Sequence, residues 1–96
     1  MSLRVVARIT ARPDTVAETQ ALLTGLIAPT RAEDGCISYM LLQNNADLAD
    51  FTFVEEWESG AALDAHLRTP HLAAALEKIP ALLAAAPDIR RYSVVA

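Results

Sequence analysis

The chain is poor in cysteine, glycine, aromatic side chains and positive charge. Its single cysteine, Cys36, excludes an internal disulfide and has no CxxC partner, so it reads as a small buried hydrophobe rather than a nucleophile. The three glycines form neither a GxGxxG nor a P-loop pattern, so no nucleotide or dinucleotide is signalled. The net charge is −4, and Arg90-Arg91 is the one adjacent basic pair, which argues against a nucleic-acid or anionic-membrane partner. No apolar run approaches the ~20 residues of a membrane span. The stretch from Leu3 alternates like a strand and lacks the apolar core of a signal peptide, so the cytoplasm is the expected location.

What the chain does have is apolar bulk in a short length. Its 96 residues are expected to make one domain, 1–96, and a chain this small buries only a modest share of its surface alone. Hydrophobic residues reach 53%, but 19 are alanine, which packs closely and contributes little burial energy per residue. Some apolar surface is therefore expected to be hidden against a partner, most simply in a homodimer.

Periodicity predicts the elements. Residues 3–11 alternate, with Val5, Ala7 and Ile9 on one face, as a strand does. Pro13 and Asp14 suit a first helical turn, and Val16, Leu23, Leu26 and Ile27 predict an amphipathic helix over 14–32, kinked near Pro29. A second strand is expected over 36–44, with Ile37, Tyr39, Leu41 and Gln43 sharing a face. Turn residues Asn44 to Asp47 then lead into a third strand over 51–58. Ser59 caps a helix over 60–68. Thr69-Pro70 repeats the start signal for a helix to 79, interrupted by Pro80, with a short turn over 82–86. A fourth strand over 91–95 completes β-α-β-β-α-β, the ferredoxin-like α+β arrangement. Apolar residues on both faces of several strands call for a second layer, which another copy of the same sheet would supply.

Most chemically capable side chains fall between Phe53 and His71. Glu55 shares a strand face with Phe53 and Trp57, where desolvation would raise its pKa toward that of a general base working near neutrality. The same face, if open, would leave it merely solvated or satisfied by a donor. Glu56 and Glu58 fall on the opposite face. His66 follows on the next helix beside Leu63 and Leu67, a candidate proton acceptor or a packed histidine. His71 stands in a first helical turn, either facing substrate or at the surface. A five-residue step around one helix would set His66 and His71 about 140° apart, so no metal site is expected. Tyr39, Phe53 and Trp57 offer flat apolar surface for an aromatic ligand, or ordinary core.

Thr30-Arg31-Ala32-Glu33-Asp34-Gly35-Cys36-Ile37-Ser38-Tyr39, Phe53-Val54-Glu55-Glu56-Trp57, Asp64-Ala65-His66-Leu67 and Thr69-Pro70-His71, in this order, resemble the antibiotic biosynthesis monooxygenase domain, especially its small quinol-monooxygenase-like members. That resemblance implies a dimeric α+β barrel with two four-stranded sheets face to face, and a pocket between sheet and helices in each subunit. It implies oxygenation of a quinol or polycyclic phenol by O₂ without flavin, haem or metal. By position, His66 and Glu55 would handle protons while Trp57, Tyr39, Phe53 and His71 bind the aromatic substrate. Haem-degrading relatives carry an Asn on the first strand, a Trp where this chain has His66, and an axial His near the position of Leu76, so haem is not expected. An isomerase relative that processes a phosphorylated signal shares the Thr-Pro-His stretch and would need cations such as Arg8 and Arg68. Three readings thus stand: a cofactor-independent monooxygenase, an isomerase on a small polar metabolite, and a non-catalytic dimeric binding module.

Overall fold

The computed structural model describes residues 2–96, in which eight elements follow one another: β1 (Leu3–Thr10), α1 (Val16–Thr24), α2 (Ile27–Arg31), β2 (Cys36–Asn44), β3 (Asp47–Trp57), α3 (Gly60–His66), α4 (Pro70–Leu82) and β4 (Asp88–Tyr92). The strands form one antiparallel sheet in the order β2-β3-β1-β4. This is the expected ferredoxin-like fold, with each helical crossover split in two.

Alternation decides which face is buried. Val5, Ala7 and Ile9 of β1 pair with Glu55, Phe53 and Phe51 of β3, and Tyr39 and Leu41 of β2 sit opposite Glu55 and Phe53. These side chains point at the helices, where Leu23, Leu26, Leu63 and Ala75 close the core over them. The other face carries Val6, Met40, Leu42 and Val54, flanked by Arg4–Glu56 and Arg8–Asp50 ion pairs. Met40 and Val54 keep 53% and 38% of their surface exposed, so this apolar strip lies open on the chain taken alone.

Several boundaries differ from expectation for identifiable reasons. The long first helix breaks at Gly25–Leu26 rather than at Pro29. A proline ring clashes with the carbonyl four residues earlier, which is that of Gly25, so the disruption appears one turn upstream. Pro13 and Asp14 stay in a turn, and α1 starts at Val16. Pro80, expected to end its helix, is accommodated inside α4, which runs on to Leu82. The β1–α1 loop holds that end: Arg12 donates to the carbonyls of Pro80 and Leu83 at 3.1 Å, and the Thr15 hydroxyl donates to Leu82 at 2.6 Å. A guanidinium there both fills orphan acceptors and complements the negative end of the helix. Ile37 does not join Tyr39 on the buried face: it is the extra residue of a β-bulge between Cys36 and Ser38 and is exposed. β4 covers 88–92, earlier than expected, with Val94 and Val95 beyond it and exposed.

Candidate functional site

Glu55 lies where period-two reasoning put it, among Tyr39, Phe53 and Trp57 on the covered face of the sheet. It is 5% exposed, and its Oε1 accepts a 2.8 Å hydrogen bond from Trp57 Nε1. Burial, with some repulsion from Glu33, outweighs that bond and pushes the carboxyl up to about 7. At neutral pH both its acid and its carboxylate forms are therefore populated. Burial, reinforced by the charge of Glu55, likewise raises the pKa of Tyr39, which stays a neutral phenol. Burial also raises the thiol of Cys36, in keeping with an inert cysteine.

His66 reaches the same space from the helical layer. Ser59 starts α3 with its hydroxyl accepting from Ala62 N–H at 3.2 Å, and the seven-residue helix ends on His66, one turn after buried Leu63. The imidazole is 3% exposed, packed against Trp57 with centroids 4.8 Å apart and edge-on to Tyr39 at 5.7 Å. Its Nδ1 lies 2.7 Å from Oε2 of Glu33, in the α2–β2 turn, and Nε2 of His71 lies 2.8 Å from the same oxygen. A carboxylate offers only acceptors, so a neutral His66 bonded to one would hold its hydrogen on Nδ1 and present Nε2 as an acceptor. No hydrogen bond occupies Nε2 among the described residues. Thr69, expected to cap α4, instead donates its hydroxyl to the carbonyl of His66 at 2.8 Å, so its Oγ1 accepts from His71 Nε2 at 3.2 Å.

Glu33 was not singled out from the sequence. Its signal is tertiary: Gly35, two residues on, has φ +84°, and a Cβ there would lie 2.6 Å from Cβ of Ala62. Only glycine lets the α2–β2 turn press so closely on α3, and that contact brings Glu33 to His66. The helical-wheel argument separating the histidines also lapses, because α3 ends at His66 and α4 begins at Pro70. Glu33, His66 and His71 place their donor atoms within 4.8 Å of one another and, among the described residues, form a group able to hold a metal.

A cavity of about 60 Å³ lies between sheet and helices. Tyr39, Phe53 and Glu55 line it from the sheet, His66 from the end of α3, and Leu72, Leu76 and Ile79 from α4. Phe53 stacks on Tyr39 at 4.8 Å. Trp57 is fully buried behind this wall, holding Glu55 and flanking His66 rather than lining the space. His71 also stays off the wall and faces a groove between α1 and α4. Leu76, where a haem ligand would stand in the haem-degrading relatives, offers no donor atom. Arg8 belongs to the opposite sheet face, bonded to Asp50 at 3.1 Å, and Arg68 is exposed in the α3–α4 turn, so neither makes the cavity basic.

Comparison with known proteins places the fold among relatives in both sequence and structure. The chain is 39% identical over 90 residues to the uncharacterised protein sll1783 of Synechocystis, covering 94% of this chain and 61% of that protein. It is 46% identical over 67 residues to Rv0793 of Mycobacterium tuberculosis, which is named as a candidate monooxygenase, covering 70% of this chain and 65% of that protein. The chain thus spans less than two thirds of each of these relatives. The solved structure of Rv0793 superposes with a TM-score of 0.94 at 32% identity, covering 100% of this chain and 97% of that one. PA3566 of Pseudomonas aeruginosa gives 0.93 at 35% identity, covering 99% and 95%. The sequence profile described as antibiotic biosynthesis monooxygenase matches residues 2–78, a span that takes in Glu33, Glu55, His66 and His71, and the chain belongs to that family.

Proposed function

We propose that the protein is a monooxygenase that oxidises a quinol or polycyclic phenol with O₂ and uses no cofactor for the reaction. The observation that carries this reading is the Glu33–His66 hydrogen bond of 2.7 Å, which leaves His66 Nε2 as a base on an apolar cavity shared with Glu55. A phenolic O–H gives its proton to Nε2, and Glu33 stabilises the imidazolium that forms. The phenolate passes one electron to O₂, and the radical pair recombines with a C–O bond at a ring carbon bearing hydrogen. Loss of that hydrogen and cleavage of the O–O bond leave a quinone carbonyl and one water. Substrate O–H and C–H supply all the electrons, so no external reductant enters. With its carboxyl near 7, Glu55 is suited to take the ring proton and deliver one to the departing oxygen. Tyr39 and Phe53 supply the aromatic wall, and the dry lining keeps water from the intermediates.

The cavity matches dioxygen more nearly than a ring: about 60 Å³ is well below the ~150 Å³ that accommodates benzene in an engineered cavity. An aromatic substrate therefore enters by parting α4 from the sheet, where Leu76 is half-exposed and Leu72 and Ile79 are only partly buried. The isomerase alternative loses its support with Arg8 and Arg68 away from the cavity, since a phosphate would there meet Glu55. The open strip of Val6, Met40, Leu42 and Val54 supports a homodimer with sheets face to face. Oxygen-electrode assays across hydroquinones and polycyclic phenols test the activity. We expect uptake with at least one of them and a loss of at least about 100-fold in His66→Ala, a general base's usual contribution. Absence of uptake across the panel by folded protein would refute the proposal.

A further inference from the structure

We propose that Glu33, His66 and His71 bind one divalent transition-metal ion, and that the ion disables His66 as a proton acceptor. The first half stands on the side-chain cluster alone; the second gains its catalytic meaning from the function proposed above.

Two imidazoles and a carboxylate are a ligand set for zinc and its first-row neighbours. The three side chains come from separate places: the α2–β2 turn, the end of α3 and the first turn of α4. Oε2 of Glu33 stands 2.7 and 2.8 Å from the two nitrogens, and all three donor atoms lie within 4.8 Å of one another. A tetrahedral ion with bonds of about 2.0–2.1 Å would set its ligands roughly 3.3 Å apart. The carboxylate oxygen must retreat by about half an ångström while the imidazoles approach each other, a side-chain adjustment rather than a rebuilt backbone. The floor is dry and the rim open: the His66, Glu33 and His71 side chains are 3%, 13% and 24% exposed. His71 opens onto the groove between α1 and α4, which gives an ion its way in. The hydroxyl of Thr69 tethers the backbone at His66 and stands 3.2 Å from the ligating nitrogen of His71.

Chemistry makes the site a switch. The ion replaces the hydrogens that now bridge His66 Nδ1 and His71 Nε2 to Glu33. Each neutral imidazole keeps one hydrogen, which moves to its other nitrogen, so no net proton is released. For His66, whose ring lines the cavity, that other nitrogen is Nε2. A hydrogen there turns the acceptor into a donor, and His66 can no longer take the phenolic proton. Bound metal and proton abstraction at His66 thus exclude each other.

His66 and His71 are the two histidines of the chain, so nitrogen-15 NMR reads the site directly. Chelator-stripped protein titrated with zinc is expected to bind one ion per chain. Both imidazoles should shift, and His66 should change from the Nδ1–H to the Nε2–H tautomer. Glu33→Gln and His71→Gln, each shown to be folded by circular dichroism, should weaken zinc at least tenfold, and magnesium should not compete. Zinc that leaves either imidazole unmoved, or binds the two variants as it binds wild type, overturns the site. Zinc bound with His66 still in its Nδ1–H form overturns the switch. In active protein, zinc should abolish oxygen uptake and chelation restore it. A protein that binds zinc with the tautomer change but oxidises no phenol refutes the proposed function and leaves the metal site standing.

Discussion

Replacing Glu55 with glutamine should reveal how much strain its burial stores. The carboxyl has an ordinary value of 4.5 and is held at about 7 in the folded chain. Below pH 4.5 it is protonated whether the chain is folded or not, and it contributes no pH dependence. Between 4.5 and about 7 the folded protein keeps a proton that the unfolded chain has released, so stability falls as pH rises. Above about 7 both states are ionised and the loss is complete. At 1.36 kcal/mol per pH unit, the window corresponds to roughly 3 kcal/mol. Glutamine has nearly the same shape, accepts from Trp57 Nε1 through its oxygen and does not titrate. The difference in unfolding free energy, Glu55→Gln minus wild type, should therefore increase by roughly 3 kcal/mol from pH 4 to pH 8. A constant penalty from the new amide N–H drops out of that comparison. Urea unfolding followed by Trp57 fluorescence at one protein concentration measures it. In thermal melts the relative shift should exceed about 10 °C for a chain of this size. Parallel stability curves for the two proteins across pH 4–8 would refute the reasoning.

Two further predictions concern the frame around the site. Gly35→Ala places a side chain at φ +84° and a Cβ 2.6 Å from Ala62, so it should destabilise by about 1–3 kcal/mol in urea unfolding and separate Glu33 from His66. An unchanged melt would contradict the geometry. Val54→Asp sets a charge in the middle of the open strip, and analytical ultracentrifugation should find wild type at twice the 10.3 kDa chain mass and the variant at that mass. Wild type sedimenting as a monomer would exclude the sheet-to-sheet dimer.

Much of this was legible in the sequence wherever a local period controls the outcome. Alternation in β3 placed Glu55, Phe53 and Trp57 on one buried face, and the Ser59 and Thr69-Pro70 signals marked where α3 and α4 begin. What the sequence concealed depends on contacts between distant segments. Glu33 looks like any acid near a turn, and only the approach of Gly35 to Ala62 makes it a partner for both histidines. The bulge at Ile37 reverses a face assignment because one extra residue resets the alternation. Pro80 stands within two residues of the end of α4, and the carbonyls of Pro80 and Leu83 are taken up by Arg12, some seventy positions earlier. Trp57, read as a flat surface for ligand, serves behind the cavity wall because its N–H is committed to Glu55.

Arg12 also gives α4 two unlike ends. Its final turn is clamped to the β1–α1 loop by Arg12 and Thr15, while the first turn is held through His71, which reaches Glu33 and Thr69. If α4 moved to admit a ring, it would pivot on its last turn and part at its first. That first turn carries His71 and Leu72, so such an opening would start beside the residues that hold the proton acceptor. Substrate admitted there would part His71 from Glu33 on the way in. His66 would then have Glu33 to itself just as the ring arrives.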